Sequence, residues 1–287
     1  MKKILGVVVA CLVLAAVPAF SQGVVREDRI DSKILGEEVP FNVYLPAGFQ
    51  DSGESYPVVY LLHGLSDTYD AWVSKGRMKD VADLLIASGE IVPMVIVMPN
   101  AGHPDIRNEW NGYFNMPGRR YEDFFFGELI PQVEKKYRGV GDKAHRAVMG
   151  LSMGGGGSTS YAQRHPDSFS SCYAMSAWLD NRYDELRHDA KGKDKLWYVR
   201  ESVKEHSAYR FLEKADEATL ERLRTVAWFL DCGDDDFLLQ INTEFHMLMR
   251  ARNVHCELRV RDGIHNWEYW HWALRTALPF ASRNFDR

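Results

Sequence analysis

Short apolar runs, separated by polar stretches punctuated with glycine, recur along this chain with the spacing of strands that alternate with helices. Phe41–Leu45, Val58–Leu62, Met94–Met98, Arg146–Met149, Ser170–Met175, Ala227–Asp231 and Cys256–Val260 have the length and the β-branched or aromatic content of strands. The central ones are nearly unbroken apolar runs rather than alternating ones, as expected when helices cover both faces of a sheet. The earlier segment Val24 to Leu35 reads as an antiparallel edge strand. Between the runs, Met78–Ser88, Tyr121–Tyr137, Ser158–Arg164, Leu238–Arg252 and Trp267–Phe280 carry helical patterns; the second is apolar at Phe124, Phe125, Leu129 and Val133. The alternation predicts an α/β domain built on a mainly parallel sheet.

One stretch breaks this rhythm. From Trp178 to Val226 the chain is charged, helical in character and without a strand, and Asp180 to Asp194 is very polar and reads as a loop. It is too long for an ordinary connection and reads as a cap-like insertion over a binding site. At the other end, Lys2-Lys3, the apolar run Ile4 to Val17 and the small residues Ala19 and Ser21 read as a signal peptide, residues 1–21, cut before Gln22. The run is short for a membrane span, which takes about 20 residues. Val8-Val9-Ala10-Cys11 lies too early for a lipid-anchor site. An exported chain is expected, periplasmic or secreted, with one catalytic domain at 22–287.

Composition adds little about partners. The net charge of −5 over 287 residues includes no basic cluster for nucleic acid and no acidic tail. Beyond the leader, Cys172, Cys232 and Cys256 are odd in number and sit in apolar runs, so buried free thiols are expected rather than a disulfide framework.

The chemistry is concentrated at Gly150-Leu151-Ser152-Met153-Gly154, which follows one strand and opens a glycine-rich stretch reaching Gly157. Strand, G-x-S-x-G, helix is the setting that forces a serine onto a sharp turn, its hydroxyl exposed above the C-terminal edge of a parallel sheet. A serine needs a base to take its proton and a carboxylate to orient that base. Both must come from loops after later strands. Cys232-Gly233-Asp234-Asp235-Asp236-Phe237 follows one, and Arg261-Asp262-Gly263-Ile264-His265-Asn266-Trp267 follows the last. The order serine, aspartate, histidine is that of the α/β-hydrolases. Position after the last strand selects His265 over His63 and His103, whereas the three aspartates compete. An oxyanion hole takes two N–H donors. Met153, next to the serine, supplies one, and the loop after Val58–Leu62 supplies the other, at Leu65 or at Ser66, with Leu65 preferred.

At these segments the chain resembles the esterase D family of α/β-hydrolases, which includes acetyl xylan esterases, feruloyl esterases and S-formylglutathione hydrolases. Tyr60-Leu61-Leu62-His63-Gly64, Gly150 to Gly157, Cys232-Gly233 with Asp236-Phe237, and Gly263-Ile264-His265-Asn266-Trp267 with Trp270 carry the resemblance, over nearly all of the mature chain. It implies the α/β-hydrolase fold, Asp236 as the triad acid, and Asp234 and Asp235 as loop residues helping to cap a helix near Phe237. It also implies an oxyanion loop at His63-Gly64.

Aromatics near the expected mouth, Trp110, Tyr113, Phe114, Trp178, Trp267 and Trp270, suit sugar rings and phenolic acyl groups alike. For Trp267 and Trp270 helical spacing also allows plain packing of the last helix. The leading expectation is an exported serine carboxylesterase acting on acetyl or feruloyl esters of plant polysaccharide, with no cofactor and no metal, since no cluster has metal-ligand spacing. Acyl transfer to a sugar or lipid, as in the mycolyltransferases that resemble this family, is a second enzyme reading. A non-catalytic carbohydrate-binding protein is a third, and it predicts a broken triad, whereas all three members are present.

Overall fold

An eight-stranded sheet forms the centre of the molecule in the computed structural model, which describes residues 22–181 and 193–286. The strands are β1 (Val24–Ser32), β2 (Glu37–Leu45), β3 (Val58–Leu62), β4 (Val95–Pro99), β5 (Arg146–Leu151), β6 (Ser171–Met175), β7 (Ala227–Gly233) and β8 (Cys256–Arg261). In space they follow the order β1-β2-β4-β3-β5-β6-β7-β8. β1 and β2 form an antiparallel hairpin and β2 runs antiparallel to β4; every pairing from β4 to β8 is parallel. The expected edge strand stops at Ser32, because Gly36 turns the chain with φ 71° and returns it as β2. The expected signal peptide lies outside the described residues. Among the described residues no helix is long and apolar enough to cross a membrane.

The unbroken apolar runs have the predicted cause. Along β3, Val58, Tyr60 and Leu62 join the core cluster on one face, whereas Val59 and Leu61 join the cluster on the other. Each fully buried aliphatic side chain contributes about 1.5–3 kcal/mol relative to exposure. The helices covering the faces include α1 (Met78–Ala87), α2 (Tyr121–Phe124 continuing through a π turn, Phe125–Leu129, into Ile130–Lys136), α3 (Met153–Arg164), α7 (Leu239–Ala251) and α8 (Trp267–Arg283). Between β6 and β7 lie α4 (Lys195–Glu205), α5 (Ala208–Lys214) and α6 (Glu217–Leu223). They occupy the segment read as a cap, of which residues 182–192 lie outside the described ones.

α3 begins at Met153, not at Ser158 as glycine's poor helix propensity suggests. Tertiary packing overrides propensity here: the glycine face is pressed against the backbone at the ends of β3 and β6. Because β3 and β5 to β8 are parallel, their C-terminal ends, and the loops after them, converge on one edge of the sheet.

Candidate active site

Ser152 sits between β5 and α3 with φ 53° and ψ −116°, a backbone region that costs about 1–3 kcal/mol for a residue with a side chain. The surroundings enforce it. Its N–H donates to the Met175 carbonyl at 2.9 Å, and its carbonyl accepts from the Trp178 N–H at 2.9 Å, which ties the turn to the exit of β6. A Cβ on Gly150 would stand 2.5 Å from the Gly154 carbonyl oxygen, and one on Gly154 would stand 2.5 Å from the carbonyl oxygens of Leu62 and His63. The elbow closes only with glycine at both positions.

The Ser152 hydroxyl faces His265, with Oγ 3.0 Å from Nε2; on the other side of the ring Nδ1 lies 2.8 Å from Asp236 Oδ2. The Asp236 side chain is fully buried. Burial pushes its carboxyl upward, but hydrogen bonds from His265, the Leu238 N–H and the Ser176 hydroxyl outweigh it and hold the group below the usual carboxylate range. An ionised Asp236 keeps the proton on Nδ1 and turns the Nε2 lone pair toward the hydroxyl. Phe237 and Trp270 flank the imidazole, with ring centroids at 4.5 and 4.8 Å. Trp270 Nε1 donates to Ser176 Oγ at 3.0 Å.

The two loops are laced together. Asp234 N–H donates to the Arg261 carbonyl at 2.9 Å, Asp235 N–H donates to the Gly263 carbonyl at 3.1 Å, and Asp234 Oδ1 accepts the Gly263 N–H at 2.9 Å. Asp234 and Asp235 therefore do not cap a helix as expected. α7 starts later, behind Leu238, without a side-chain cap, and Asp236 itself takes the Leu238 N–H through Oδ1 at 2.8 Å. Beneath the loops Asp231 is fully buried. It accepts from Tyr173 and Tyr269 at 2.5 Å each and pairs with Arg261 Nη2 at 3.1 Å. Arg261 precedes His265 and Tyr269 follows it, so one carboxylate anchors both sides of the loop.

Across the site, His63 is buried. Its Nε2 accepts the Ala101 N–H at 3.0 Å, which leaves Nδ1 to donate to the Gly64 carbonyl at 2.8 Å. Burial lowers its pKa to about 4, so the ring is neutral and structural. The Ser66 N–H donates to Asn111 Oδ1 at 3.2 Å. Met153 is the first residue of α3, where an N–H has no acceptor within the helix.

Above Ser152 opens a cavity of about 360 Å³. Leu65, Trp178, Phe237 and Ile241 make an apolar wall, and Asp180, Asn181 and Gln240 supply polar groups. A larger hollow, about 670 Å³, lies at the opposite edge of the sheet around Lys143, Arg224 and His255; neither Ser152 nor His265 lines it.

The Esterase family model matches residues 32–281. A solved ferulic acid esterase is 50% identical and superposes with a TM-score of 0.87, over 92% of this chain and 99% of that one. The chain belongs to this esterase family.

It is a carboxylic ester hydrolase. An endo-1,4-beta-xylanase/feruloyl esterase of Xylanibacter ruminicola is 33% identical over 153 residues, 52% of this chain and 21% of the relative. The esterase thus spans only about a fifth to a third of the first curated relatives it matches. An S-formylglutathione hydrolase of Staphylococcus aureus, 23% identical with a TM-score of 0.72 over 91% of this chain and 100% of that one, shares the fold.

Of the aromatics expected at the mouth of the esterase, Trp178 lines the cavity. Tyr113 does not: it is 1% exposed, and its hydroxyl donates to the His63 carbonyl at 3.0 Å, so it braces the loop from below. Trp110 packs 5.9 Å from Tyr198, outside the cavity lining. Trp267 packs edge-on with Trp72 at 5.1 Å and Trp270 at 5.4 Å, holding the start of α8 against the short helix that carries Trp72. Sequence reasoning missed Ser176 and Asp231. Ser176 belongs to no motif. Asp231 carried a signal, a charged residue ending the apolar run Trp228-Phe229-Leu230, where an unpaired carboxylate is not tolerated.

Proposed function

We propose that this esterase is exported and hydrolyses feruloyl esters on plant polysaccharide, with Ser152 as nucleophile, His265 as general base and Asp236 as the orienting acid. The observation that carries the reading is the chain of hydrogen bonds from Ser152 through His265 to Asp236, opening into a cavity with an aromatic wall. Ser152 Oγ attacks the ester carbonyl as its proton passes to His265 Nε2; the imidazolium then protonates the leaving alcohol. Water, deprotonated by the same nitrogen, cleaves the acyl-enzyme. The Met153 and Leu65 N–H groups receive the oxyanion. The engagement of the Ser66 N–H by Asn111 supports Leu65 over its neighbour.

Cavity size supports a bulky acyl group. An acetyl group would leave most of a 360 Å³ cavity empty, whereas a hydroxycinnamoyl group would occupy a much larger share of it. The similarity to the ferulic acid esterase supports the same choice. Export rests on the N-terminal sequence pattern, and the segment after β6, which brings Trp178, Asp180 and Asn181 to the pocket, acts as a cap. The test compares kcat/KM on methyl ferulate, nitrophenyl acetate and acetylated xylan. Methyl ferulate should be preferred and Ser152→Ala should abolish all three activities; a higher value on acetylated xylan would replace feruloyl by acetyl. N-terminal sequencing of the extracellular protein should begin at Gln22.

A further inference from the structure

The cavity over Ser152 holds a carboxylate that the proton relay does not use. The side chain of Asp180 is 1% exposed, yet it borders the cavity. Among the described residues, Oδ1 accepts the Asn181 N–H at 2.8 Å, and Oδ2 faces Arg210 Nε at 3.4 Å, long for a charged hydrogen bond. Each carboxylate oxygen can accept two hydrogen bonds. Each oxygen has one partner among the described residues, so the carboxylate keeps capacity for a further donor. The position is fixed relative to the nucleophile. Trp178 N–H is tied to the Ser152 carbonyl at 2.9 Å, and the Leu179 carbonyl accepts from the Ala208 N–H at 3.0 Å. The walls beside it, Trp178 and Ile241 among them, are apolar. A flat apolar body ending in a hydrogen-bond donor matches this lining.

Resting on the reading of the cavity as the acyl pocket, we propose that Asp180 is a specificity residue whose carboxylate accepts the phenolic O–H of a 4-hydroxycinnamoyl group, with Arg210 holding the carboxylate from the protein side. A site built around a hydroxyl rejects the analogue lacking it, because its polar group is then left unpaired.

The experiment measures kcat/KM for four methyl esters that carry no sugar: ferulate, 4-hydroxycinnamate, 4-methoxycinnamate and cinnamate. The wild type should favour the two phenols over the two others by about tenfold or more. In Asp180→Ala that preference should collapse to within about threefold, chiefly through KM for the phenols, and Asp180→Asn, which keeps one acceptor, should fall between. Equal activity of the wild type on phenols and 4-methoxycinnamate overturns the assignment without any variant, which covers the case of a variant that fails to fold. A uniform fall on all four esters in Asp180→Ala also overturns it, because the residue would then be structural. Activity on none of the four would overturn the acyl reading first and the Asp180 assignment with it, an outcome distinct from activity without phenol preference.

Discussion

Two histidines stand on the same edge of the sheet, each beside a glycine-containing turn at the end of a strand, and their surroundings differ in kind. His63 is 1% exposed and both its ring nitrogens are spent on main chain, the Gly64 carbonyl and the Ala101 N–H. His265 is held by a carboxylate on one side and a hydroxyl on the other. Main-chain partners cannot gain or lose a proton at these pH values, so they fix a ring in place and nothing more. Side-chain partners that can exchange a proton make a relay. The partners, rather than the residue type or its place after a strand, separate the pin from the proposed base.

Removing each imidazole gives the largest contrast. His265→Ala is expected to lower kcat on methyl ferulate by about 10⁴-fold or more with little change in melting temperature. His63→Ala should instead cost about 2–4 kcal/mol of stability, since it opens a buried hole and orphans two main-chain groups. Thermal melts and kcat on the same preparations decide; equal kcat losses at equal melting temperatures would erase the distinction.

The next contrast lies within the aspartates. Asp236→Asn should cost about 10⁴-fold in kcat, because the wrong tautomer then faces the serine. Asp234→Asn weakens only the bond to the Gly263 N–H and should cost about tenfold at most. The reverse order, read from kcat on one substrate, would move the acid to Asp234.

A third test uses pH. His63 has its pKa lowered to about 4 by burial, so between that value and the ordinary 6.5 the unfolded chain takes up a proton that the folded chain excludes. Stability from this group is complete above pH 6.5 and declines as pH falls toward 4, by up to about 3 kcal/mol. The lowered carboxyl of Asp236 adds its own loss only below about pH 4. Denaturant midpoints for wild type and His63→Asn across this range should show a steeper fall in the wild type. Parallel curves would mean that His63 is protonated in the fold.

The smallest effect is expected from Trp270→Phe, which keeps an aromatic ring near His265 and removes the donor to Ser176. A loss of about three- to tenfold in kcat would match one hydrogen bond. No change would assign Trp270 to packing alone.

Much of this arrangement was legible in the chain. A sharp turn needs glycines at fixed offsets from the serine, and parallel strands deliver later loops to one edge, so Ser152, the acid loop and His265 stand out by order and spacing. The start of α3 was not legible, because propensity penalises Gly154 to Gly157 while the fold uses their missing side chains to press helix against backbone. The burial of Tyr113 was equally hidden: an aromatic after a loop looks the same whether its hydroxyl meets a substrate or, as here, the His63 carbonyl. Ser176 meets partners distant in sequence, Asp236 and Trp270, and no local pattern marks it.

The three thiols carry a consequence for oxidation of the chain. Cys172, Cys232 and Cys256 are free, buried and placed on β6, β7 and β8. Cys172 and Cys256 both stand opposite Trp228, on either side of β7, and two strand spacings put them about 9.6 Å apart. That exceeds the reach of a disulfide, about 7 Å between Cα atoms. Burial pushes the Cys172 thiol up to about 12, far from the reactive thiolate. Burial raises the Cys232 and Cys256 thiols as well, so oxidation and mispairing are favoured in the unfolded chain. A maleimide pulse in rising denaturant would then time the opening of this half of the sheet with no engineered label.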